Sequence, residues 1–561
     1  MIRLYFYETL YYRLLVAIAV AGLIPRVVFG SSQFVSFDGW WHLFIATQDR
    51  WLMLLGEWKG IAHPPLFYPL LRLVAALSHS LLMIRSIGIV CGAVSSVVIG
   101  IVAAKIYRYK ASALLAAAAY TFAWSIIEMN CDVRAYPLAL LFVLLAFNAF
   151  LDWTADPANA HAGRAIVRFT VYSLLALLSE YYVIFFLAGC LGLLVLRALL
   201  RPAFRAAFLN SLRVDWKRWL FCGASLSILF LAFFVFQMII RPQDQRYLQP
   251  YVWDERSPLG LDGFLLSNLE KEMGYFTPFH IDPGWMLALV VLLFLPALIY
   301  FAFVRRERMR GAFSADPPLL LAGVLIQLVV LSLAREYPFG GEFRHQSIIA
   351  PFVFLTAFLL LDRLAAALKP SLARARNGLF ITAGLLAAGS FAYGWAVYPW
   401  TSVQPTSAEY SQFRAMFPKP ENIYGDNTST IYYYAETHKA KWTFQDRFLV
   451  HNQRITVYRT DDGNGYPIRF LRNKRQTWFD LTDPETYQVL AGALRQERLN
   501  SAVLFYTGLG WDEAGARTLE DRFRTLAPLA GLEYGRYSVG RTYVFVEFKL
   551  RGDALLRDSP R

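Results

Sequence analysis

Charged residues are scarce in this sequence of 561 residues. They make up 17% of the chain, whereas 57% of the residues are hydrophobic and the mean hydropathy is +0.38. This composition excludes an intrinsically disordered chain and predicts a polytopic membrane protein. Cysteine is also rare. Its four copies lie scattered in apolar segments without the spacing of a metal site, so we interpret them as buried structural residues.

Familiar catalytic signatures are missing as well. No Walker loop, zinc signature or serine-triad elbow occurs in a fitting context, and the sequence alone therefore assigns no metal ligands. The acidic stretch TDDGN at 460–464 is too short for a calcium loop. The first apolar run lacks a small-residue cleavage site, so we expect it to remain as a helix and not to be removed as a signal peptide.

Two regions of different composition follow each other along the chain. Residues 1–398 are a succession of apolar runs, whereas residues 399–561 are mixed and polar. A spanning helix needs about 20 apolar residues. The fold class predicted is a polytopic α-helical membrane protein with about eleven spans and a C-terminal soluble α/β domain. The candidate spans are 14–30, 82–104, 111–127, 134–153, 166–180, 181–198, 219–240, 284–304, 317–334, 346–362 and 378–398.

The run at 64–79 decides the predicted topology. The net charge of +14 comes mainly from basic residues in short loops, which indicates orientation in the membrane and no nucleic-acid partner. If 64–79 spanned the membrane, the cluster KIYRYK at 105–110 and every later basic loop would lie outside, against the positive-inside rule. Its short length, Pro-Pro start and Arg72 favour a juxtamembrane helix lying flat in the outer interface. The N-terminus is then cytoplasmic, and residues 399–561 are extracytoplasmic.

This topology gathers ionisable side chains in the outer segments. Such groups are costly near a membrane unless they are paired or face a cavity, so they are functional candidates. Asp38 in FDGWWH (37–42) is surrounded by aromatic residues, and partial desolvation suits a general base. An interfacial helix cap or an aromatic-belt contact explains it equally well. His63 in HPPLFYPLL could hydrogen-bond a phosphate or a hydroxyl, or it could cap the flat helix.

Two further outer segments pair acidic or aromatic residues with cations. In EMNCDVRAYPL (128–138), Glu128 and Asp132 would share a face on a continuing helix, and Arg134 suits a phosphate. The alternative is an Asp132–Arg134 pair at a helix junction. In EYPFGGEFRHQ (336–346), two glycines allow backbone to approach a ligand, and Arg344 and His345 could hold a leaving phosphate. The alternative is a loop with an interfacial anchor.

The turn SEYY (179–182) and the outer loop 241–283 complete the set of outer segments. Glu180 and Tyr181 in the turn are predicted to bind substrate. The loop mixes aromatic residues with charges of both signs, and we expect it to cover the site or to read the acceptor. In the C-terminal region the pattern predicts strands near 454–459, 501–506 and 542–549 and a helix near 483–498. That region carries no catalytic set, which favours acceptor binding or structural support.

Taken in order, these motifs resemble the GT-C class of membrane glycosyltransferases. The acidic first outer loop, HPPLFYPLLRLV, RSIGIVCG, DVRAYPLALL and YPFGGEFRHQ are similar to the protein O-mannosyltransferase and aminoarabinose transferase group (glycosyltransferase family 39) and to bacterial relatives that modify lipopolysaccharide. The resemblance covers roughly residues 10–400. It implies a protein of the bacterial inner membrane that transfers a sugar from a polyprenyl monophosphate to a lipid, glycan or protein of the cell envelope on the outer face.

The resemblance also implies roles for individual residues. Asp38 takes the place of the catalytic base, Asp132 and Arg134 match the acidic-x-Arg-x-Tyr pattern, and His63 matches the histidine before the paired prolines. Many relatives carry two adjacent acidic residues in the first outer loop, whereas this chain has Asp38-Gly39. The second carboxylate is therefore assigned to Asp132 or is dispensable. This departure leaves a divalent cation an open question, and no cofactor is assigned.

Two other kinds of function remain open at this stage. A polyprenyl-linked glycan polymerase or ligase would use a polyprenyl diphosphate donor. A lipid-linked sugar transporter or flippase would more often show inverted repeats, broken helices and polar groups at the membrane midplane. We expect transfer with inversion, in which Asp38 removes the acceptor proton and Arg134, Arg344 and His345 stabilise the departing phosphate, with membrane lipids surrounding the protein.

Overall fold

The structure is a computed structural model of the whole chain. It describes residues 2–32, 37–46, 63–78, 80–155, 162–234, 252–253, 260–276, 316–340, 343–368, 370–397, 412, 415–417, 423–426, 444–451, 455–461, 467–473, 483–507, 513–539 and 543–551. Contacts between Cα atoms divide the chain into two units. The first comprises Met1–Ser32, Trp58–Leu70 and Arg85–Tyr398, and the second comprises Gln33–Glu57, Leu71–Ile84 and Pro399–Arg561.

Helices dominate the chain up to residue 397. The described helices are α1 (Ile2–Ser32), α2 (Phe37–Ala46), α3 (Phe67–Leu77), α4 (Leu81–Ile106), α5 (Lys110–Phe122), α6 (Trp124–Cys131), α7 (Tyr136–Ala155), α8 (Ala162–Leu177), α9 (Val183–Leu200), α10 (Pro202–Val214), α11 (Trp216–Phe234), α12 (Gly260–Gly274), α13 (Asp316–Leu333), α14 (Phe343–Gln346), α15 (Ala350–Ala367) and α16 (Ala373–Val397). A 3₁₀ turn, Ser347–Ile349, joins α14 to α15. A core of buried apolar side chains runs through the first unit.

Length and composition confirm a polytopic α-helical membrane protein. Seven stretches are long and apolar enough to cross a membrane: Glu8–Ser31, Leu82–Ile106, Tyr136–Ala155, Val183–Leu200, Asp316–Leu333, Phe343–Ala367 and Ala373–Val397. Helices α5 and α6 meet at a bend of 53° and together form an eighth candidate. The predicted runs 166–180 and 219–240 form α8 and α11, which do not qualify by the same measure. The run 284–304 lies outside the described residues, so the number of spans predicted, about eleven, is not settled.

Helix α3 has the short length expected of the predicted flat helix. It has 11 residues, which at 1.5 Å per residue is about 16 Å, roughly half of the hydrocarbon thickness. It is therefore too short to span. Its lying in the outer interface stays a prediction.

Small residues on α4 allow α6 to pack closely against it. A Cβ atom at Gly88 would overlap the backbone carbonyl oxygen of Asn130, and one at Gly92 would overlap the Asn130 side chain. Asn130 is fully buried. The spacing Gly-x-x-x-Gly is the one that lets transmembrane helices approach through their backbones.

Most charges buried among the spans have identifiable partners. Arg26 donates to the carbonyl oxygens of Gly22, at 2.8 Å, and Thr121, at 2.9 Å. Asp362 accepts hydrogen bonds of 2.9 Å from the backbone N–H groups of Arg108 and Tyr109, which fixes the start of α5. Arg197 bonds to Asp316, and both are buried. Pairing of this kind reduces the cost of a charge in a medium of low dielectric.

Helix α13 ends in a turn with a left-handed residue. The N–H of Glu336 donates to the carbonyl of Leu331 and the N–H of Arg335 to that of Ser332, which is the Schellman pattern. Arg335 has φ 63° at the position where glycine is usual. A non-glycine residue there carries a conformational cost.

The turn after α13 packs against α12, which belongs to the outer loop 241–283. Gly340 has φ 82°, and a Cβ atom at this position would overlap Asn268 of α12. Glu272, one helical turn beyond Asn268, is almost fully buried. Burial raises the pKa of Glu272 well above its usual value, and the nearby backbone N–H of Gly340 opposes this shift only in part. Helix α12 thus packs against the turn after α13, and the expectation that the loop 241–283 covers the site or reads the acceptor stays a prediction.

The second unit contains a seven-stranded mixed sheet. Its strands are β1 (Ile423–Asp426), β2 (Phe444–His451), β3 (Ile455–Asp461), β4 (Pro467–Asn473), β5 (Ser501–Thr507), β6 (Leu532–Val539) and β7 (Tyr543–Leu550), in the order β2-β3-β4-β1-β5-β7-β6. Strand β1 pairs in parallel with β4 and β5. Helices α17 (Pro484–Gln496) and α18 (Glu513–Leu529) contribute side chains to its apolar core. The three predicted strands, the predicted helix and the α/β class are confirmed.

We predict that Gly88→Ala lowers the unfolding midpoint of the purified protein in lipid nanodiscs. The added methyl group would force α4 away from the backbone of α6, and overpacking of this kind costs about 1–3 kcal/mol. The matched control is Gly192→Ala in α9, where a Cβ atom would meet no other atom within 4 Å. Alanine is the better helix former, so the control should leave the midpoint unchanged or raise it. Equal midpoints for both variants would contradict the close packing.

We also predict that Glu272→Gln stabilises the protein increasingly as the pH rises. The pKa of Glu272 is higher in the folded than in the unfolded state, so the wild type loses stability as pH increases from near the unfolded pKa towards the folded one. Glutamine does not titrate. The difference in unfolding midpoint between variant and wild type should therefore be larger at about pH 8 than at about pH 5. Glu270→Gln, two residues away in α12, controls for the loss of one acidic group, and a difference that does not grow with pH would refute the prediction.

Candidate active site

Three segments of the first unit meet around the ring of Tyr136. The His63 ring lies edge-on to it with ring centroids 5.7 Å apart, and the Tyr182 ring stacks on it at 5.9 Å. The guanidinium carbon of Arg134 lies 5.8 Å from the centroid of the same ring. We call His63, Arg134, Tyr136, Glu180 and Tyr182 the Tyr136 cluster. It unites the segments HPPLFYPLL, DVRAYPL and SEYY, whose placement on the outer side of the membrane stays a prediction.

His63 and Glu180 form the polar contact of this cluster. His63 Nδ1 lies 2.8 Å from Glu180 Oε1, and the two side chains are only 12% and 5% exposed. The backbone nearby is also fixed, because the N–H of Leu66 donates to the carbonyl of Leu178 at 2.9 Å. Helix α3 begins at Phe67, four residues after His63, so the histidine is not the cap of that helix. The carboxylate of Glu180 orients the imidazole ring.

Tyr68, which the sequence patterns did not single out, lies close to the same groups. It is almost completely buried in the first turn of α3. Burial raises the pKa of its hydroxyl well above the usual value; the nearby Glu180 and Tyr181 add to this rise, and Arg134 opposes it. Tyr68 therefore remains a neutral hydroxyl beside Glu180 at physiological pH. The only sequence signal for it is its position five residues after His63.

Asp132 terminates α6 and contacts the next two residues. Its Oδ1 accepts a hydrogen bond of 2.9 Å from the N–H of Val133, and its Oδ2 one of 3.2 Å from Arg134 Nε. Arg134 is 4% exposed, whereas the Asp132 side chain is 27% exposed. The predicted pair at a helix junction is thus present. The prediction that Asp132 shares a helix face with Glu128 is wrong, because the helix ends at Cys131 and Asp132 is extended (φ −80°, ψ 153°).

The segment 336–346 is tied to the Tyr136 cluster through Tyr182. Ser347 Oγ donates to the Tyr182 hydroxyl at 3.3 Å. Two bonds fold the segment on itself: the Tyr337 hydroxyl donates to the carbonyl of His345 at 3.0 Å, and the Gln346 side chain to that of Pro338 at 2.8 Å. Arg344 and His345 are half-buried in α14. They therefore lie on the turn that leads directly to the cluster.

Asp38 belongs to the second unit. It lies half-buried in the first turn of α2, and His42 one helical turn further on is buried. A carboxylate in the first turn of a helix is favoured by the helix dipole, so the structural interpretation as a helix-end acid has support. The role of Asp38 as a base stays a prediction.

The Tyr136 cluster has the chemistry needed to bind a phosphorylated sugar. Arg134 provides a buried cation and His63 a second nitrogen donor, both suited to phosphate oxygens. Glu180 and Asp132 offer acceptors for hydroxyl groups, and the tyrosine rings offer apolar faces against which a sugar ring packs. In the part of the chain that the structure describes, no group of three or more histidine, cysteine, aspartate and glutamate side chains is placed to hold a metal ion.

Comparison with known proteins identifies the fold. No family model matches the sequence, and no curated protein does. Among solved structures, the chain is similar to ArnT from Cupriavidus metallidurans in the apo state, with a TM-score of 0.55 and 15% sequence identity over 96% of this chain and 98% of ArnT. ArnT from the same organism bound to undecaprenyl phosphate gives a TM-score of 0.52 and 13% identity over 98% and 99% of the two chains.

Similarity at this level of identity is informative about the fold alone. It extends over nearly the whole length of both chains, including the C-terminal region. ArnT is an aminoarabinose transferase of the GT-C type. The resemblance inferred from the sequence motifs is confirmed at the level of architecture: this chain is an integral membrane protein with the GT-C glycosyltransferase fold.

Proposed function

We propose that this protein transfers a sugar from a polyprenyl monophosphate to an acceptor on the outer face of the membrane, with inversion at the anomeric carbon. The observation that carries the proposal is the Tyr136 cluster, in which a buried arginine, a histidine–carboxylate contact and stacked tyrosines meet within a GT-C fold. ArnT with the same fold binds undecaprenyl phosphate, which supports a polyprenyl phosphate as partner.

In this proposal the phosphate of the donor is held by cations. Arg134 is the principal candidate because it is buried and fixed by Asp132 and Tyr136. His63, Arg344 and His345 supply further donors around the phosphate. As the glycosidic bond breaks, negative charge grows on the phosphate oxygens. Fixed cations stabilise this charge more in the transition state than in the ground state.

The reaction itself needs one base. The Asp38 carboxylate takes the proton of the acceptor hydroxyl or amine, whose lone pair then bonds to the anomeric carbon from the face opposite the phosphate. The bond between that carbon and the phosphate oxygen breaks, and polyprenyl phosphate leaves with the electron pair. Asp132 serves as the second carboxylate, binding a sugar hydroxyl or assisting the base. Glu180 and Tyr181 bind the sugar. The scheme includes no metal step.

The remaining parts of the chain take supporting roles in this proposal. Residues 1–398 form the catalytic domain, with a cytoplasmic N-terminus. Residues 399–561 form an extracytoplasmic domain that binds the cell-envelope acceptor, which is a lipid, glycan or protein. The protein lies in the bacterial inner membrane, where polyprenyl-linked sugars are available.

We predict that Asp38→Asn and Asp132→Asn each lower the rate of sugar transfer. Removal of the base should cost about 10²–10⁴-fold in kcat, and removal of Asp132 a smaller factor. The assay incubates purified protein with a panel of polyprenyl-monophosphate sugars and a membrane-lipid extract, followed by mass spectrometry. A parallel panel of polyprenyl diphosphates tests for a polymerase or ligase.

The control for both variants is Glu128→Gln. Glu128 is exposed on α6, close in sequence to Asp132, and its loss should leave transfer unchanged. Undiminished turnover by folded Asp38→Asn protein would reject its assignment as the base. Transfer only from diphosphate donors would reject the monophosphate proposal.

We further predict that Arg134→Gln lowers kcat for transfer by about 10²–10³-fold, the range seen when one donor to a developing oxyanion is removed. Arg134→Lys should retain part of the activity, because the charge remains while the planar donor geometry is lost. The control Arg108→Gln removes one exposed positive charge elsewhere in the same unit. Equal kcat values for Arg134→Gln and the control would show that Arg134 does not stabilise the departing phosphate.

A further inference from the structure

The segment RSIGIVCG at the start of α4 contributes nothing to the Tyr136 cluster, yet it contains a buried charge. Arg85 is 2% exposed, and its Nη1 donates to the carbonyl oxygen of Gly30. Gly30 lies in the last turn of α1. Arg85 therefore ties the last turn of α1 to the start of α4.

The same guanidinium also interacts with the candidate site. The carboxylate of Asp132 is near enough to Arg85 to attract its charge, although the two form no ion pair. A buried guanidinium requires compensation by negative charge or carbonyl oxygens. Here the compensation comes from two separate elements, the end of α1 and the end of α6. A single side chain thus connects both.

The rest of the segment brings the end of α6 to the same place. A Cβ atom at Gly88 would overlap the carbonyl oxygen of Asn130, so α4 and the turn 130–132 touch through their backbones. A Cβ atom at Gly30 would lie 3.6 Å from Arg85 Cδ and 3.7 Å from Cys131 Sγ. The thiol of Cys131 donates to the carbonyl of Arg26 in α1 at 3.2 Å. The ends of α1 and α6 and the start of α4 therefore form one packed junction.

We propose that Arg85 is a positioning residue for sugar transfer: by fixing the last turn of α1 beside the end of α6, it keeps the carboxylate of Asp132 in place. Arg85 itself touches neither donor nor acceptor. This inference rests on the proposed function, in which Asp132 takes part.

The kinetic test compares Arg85→Gln, Arg85→Lys and a control in the transfer assay. Misplacement of a catalytic group by about 1 Å can cost 10²-fold, so Arg85→Gln should lower kcat about 10–100-fold and leave KM for the donor within about twofold. Arg85→Lys should regain part of the loss, since it keeps a charge that can reach one of the two partners. Lys105→Gln, at the opposite end of α4 and bonded to Asp152, should match the wild type.

The second test needs no activity. In a double-mutant cycle of Arg85→Gln and Asp132→Asn, the two changes should lower the unfolding midpoint in nanodiscs by less together than the sum of their separate effects, because each removes the same interaction. If Arg85→Gln does not fold, the cycle and the kinetics are run with Arg85→Lys. Additive midpoints would overturn the energetic coupling between Arg85 and Asp132.

The outcomes separate the inference from the function on which it rests. A folded Arg85→Gln protein with unchanged kcat, beside an active wild type, overturns the positioning role alone. A loss of activity that merely follows the loss of folded protein, with kcat per folded molecule unchanged, also overturns it. Absence of transfer by the wild type with every donor refutes the proposed function, whereas coupling in the stability cycle would still support the junction.

Discussion

The cost of burying charge at the edge of the membrane governs this structure. Arg134 is almost completely buried, and a guanidinium in that position is tolerated only with a carboxylate and further contacts around it. Asp132 and the ring of Tyr136 provide those contacts, and Tyr136 in turn meets His63 and Tyr182. The contacts of one buried cation thus connect three segments that are distant in the sequence.

In the proposed function, the contacts that stabilise the site also prepare it for its substrate. The Asp132–Arg134 pair stabilises a helix junction, and the same pair fixes the cation that is proposed to bind phosphate. Likewise, Glu180 compensates His63 and keeps its ring in one orientation. A site whose own side chains are held before substrate arrives loses little free energy to reorganisation when charge develops. The fold, shared with ArnT over almost the whole chain, places this arrangement in an integral membrane protein.

Several features could be predicted from the sequence because they depend on local composition. Hydrophobic length identified the seven described spans but also selected 166–180 and 219–240, which do not qualify, and the short proline-led run at 64–79 proved to be an 11-residue helix. Hydrophobic periodicity located β3, β5, β7 and α17. The prediction failed at Glu128 and Asp132, where an uninterrupted helix was assumed and the chain instead leaves the helix after Cys131. The bend between α5 and α6 and the packing of Gly88 on Asn130 gave no clear local signal.

By itself, the sequence determined that the chain crosses a membrane repeatedly, where its apolar segments lie, and which segments between them carry ionisable groups, because each of these is a property of consecutive residues. Only the tertiary structure decided which of those groups are partners. His63 meets Glu180, Arg85 meets Gly30, and Asp362 meets the backbone of Arg108, although each pair is far apart in the sequence. Charge compensation depends on distance in space and on the exclusion of water, and neither quantity is encoded in the spacing of residues along the chain.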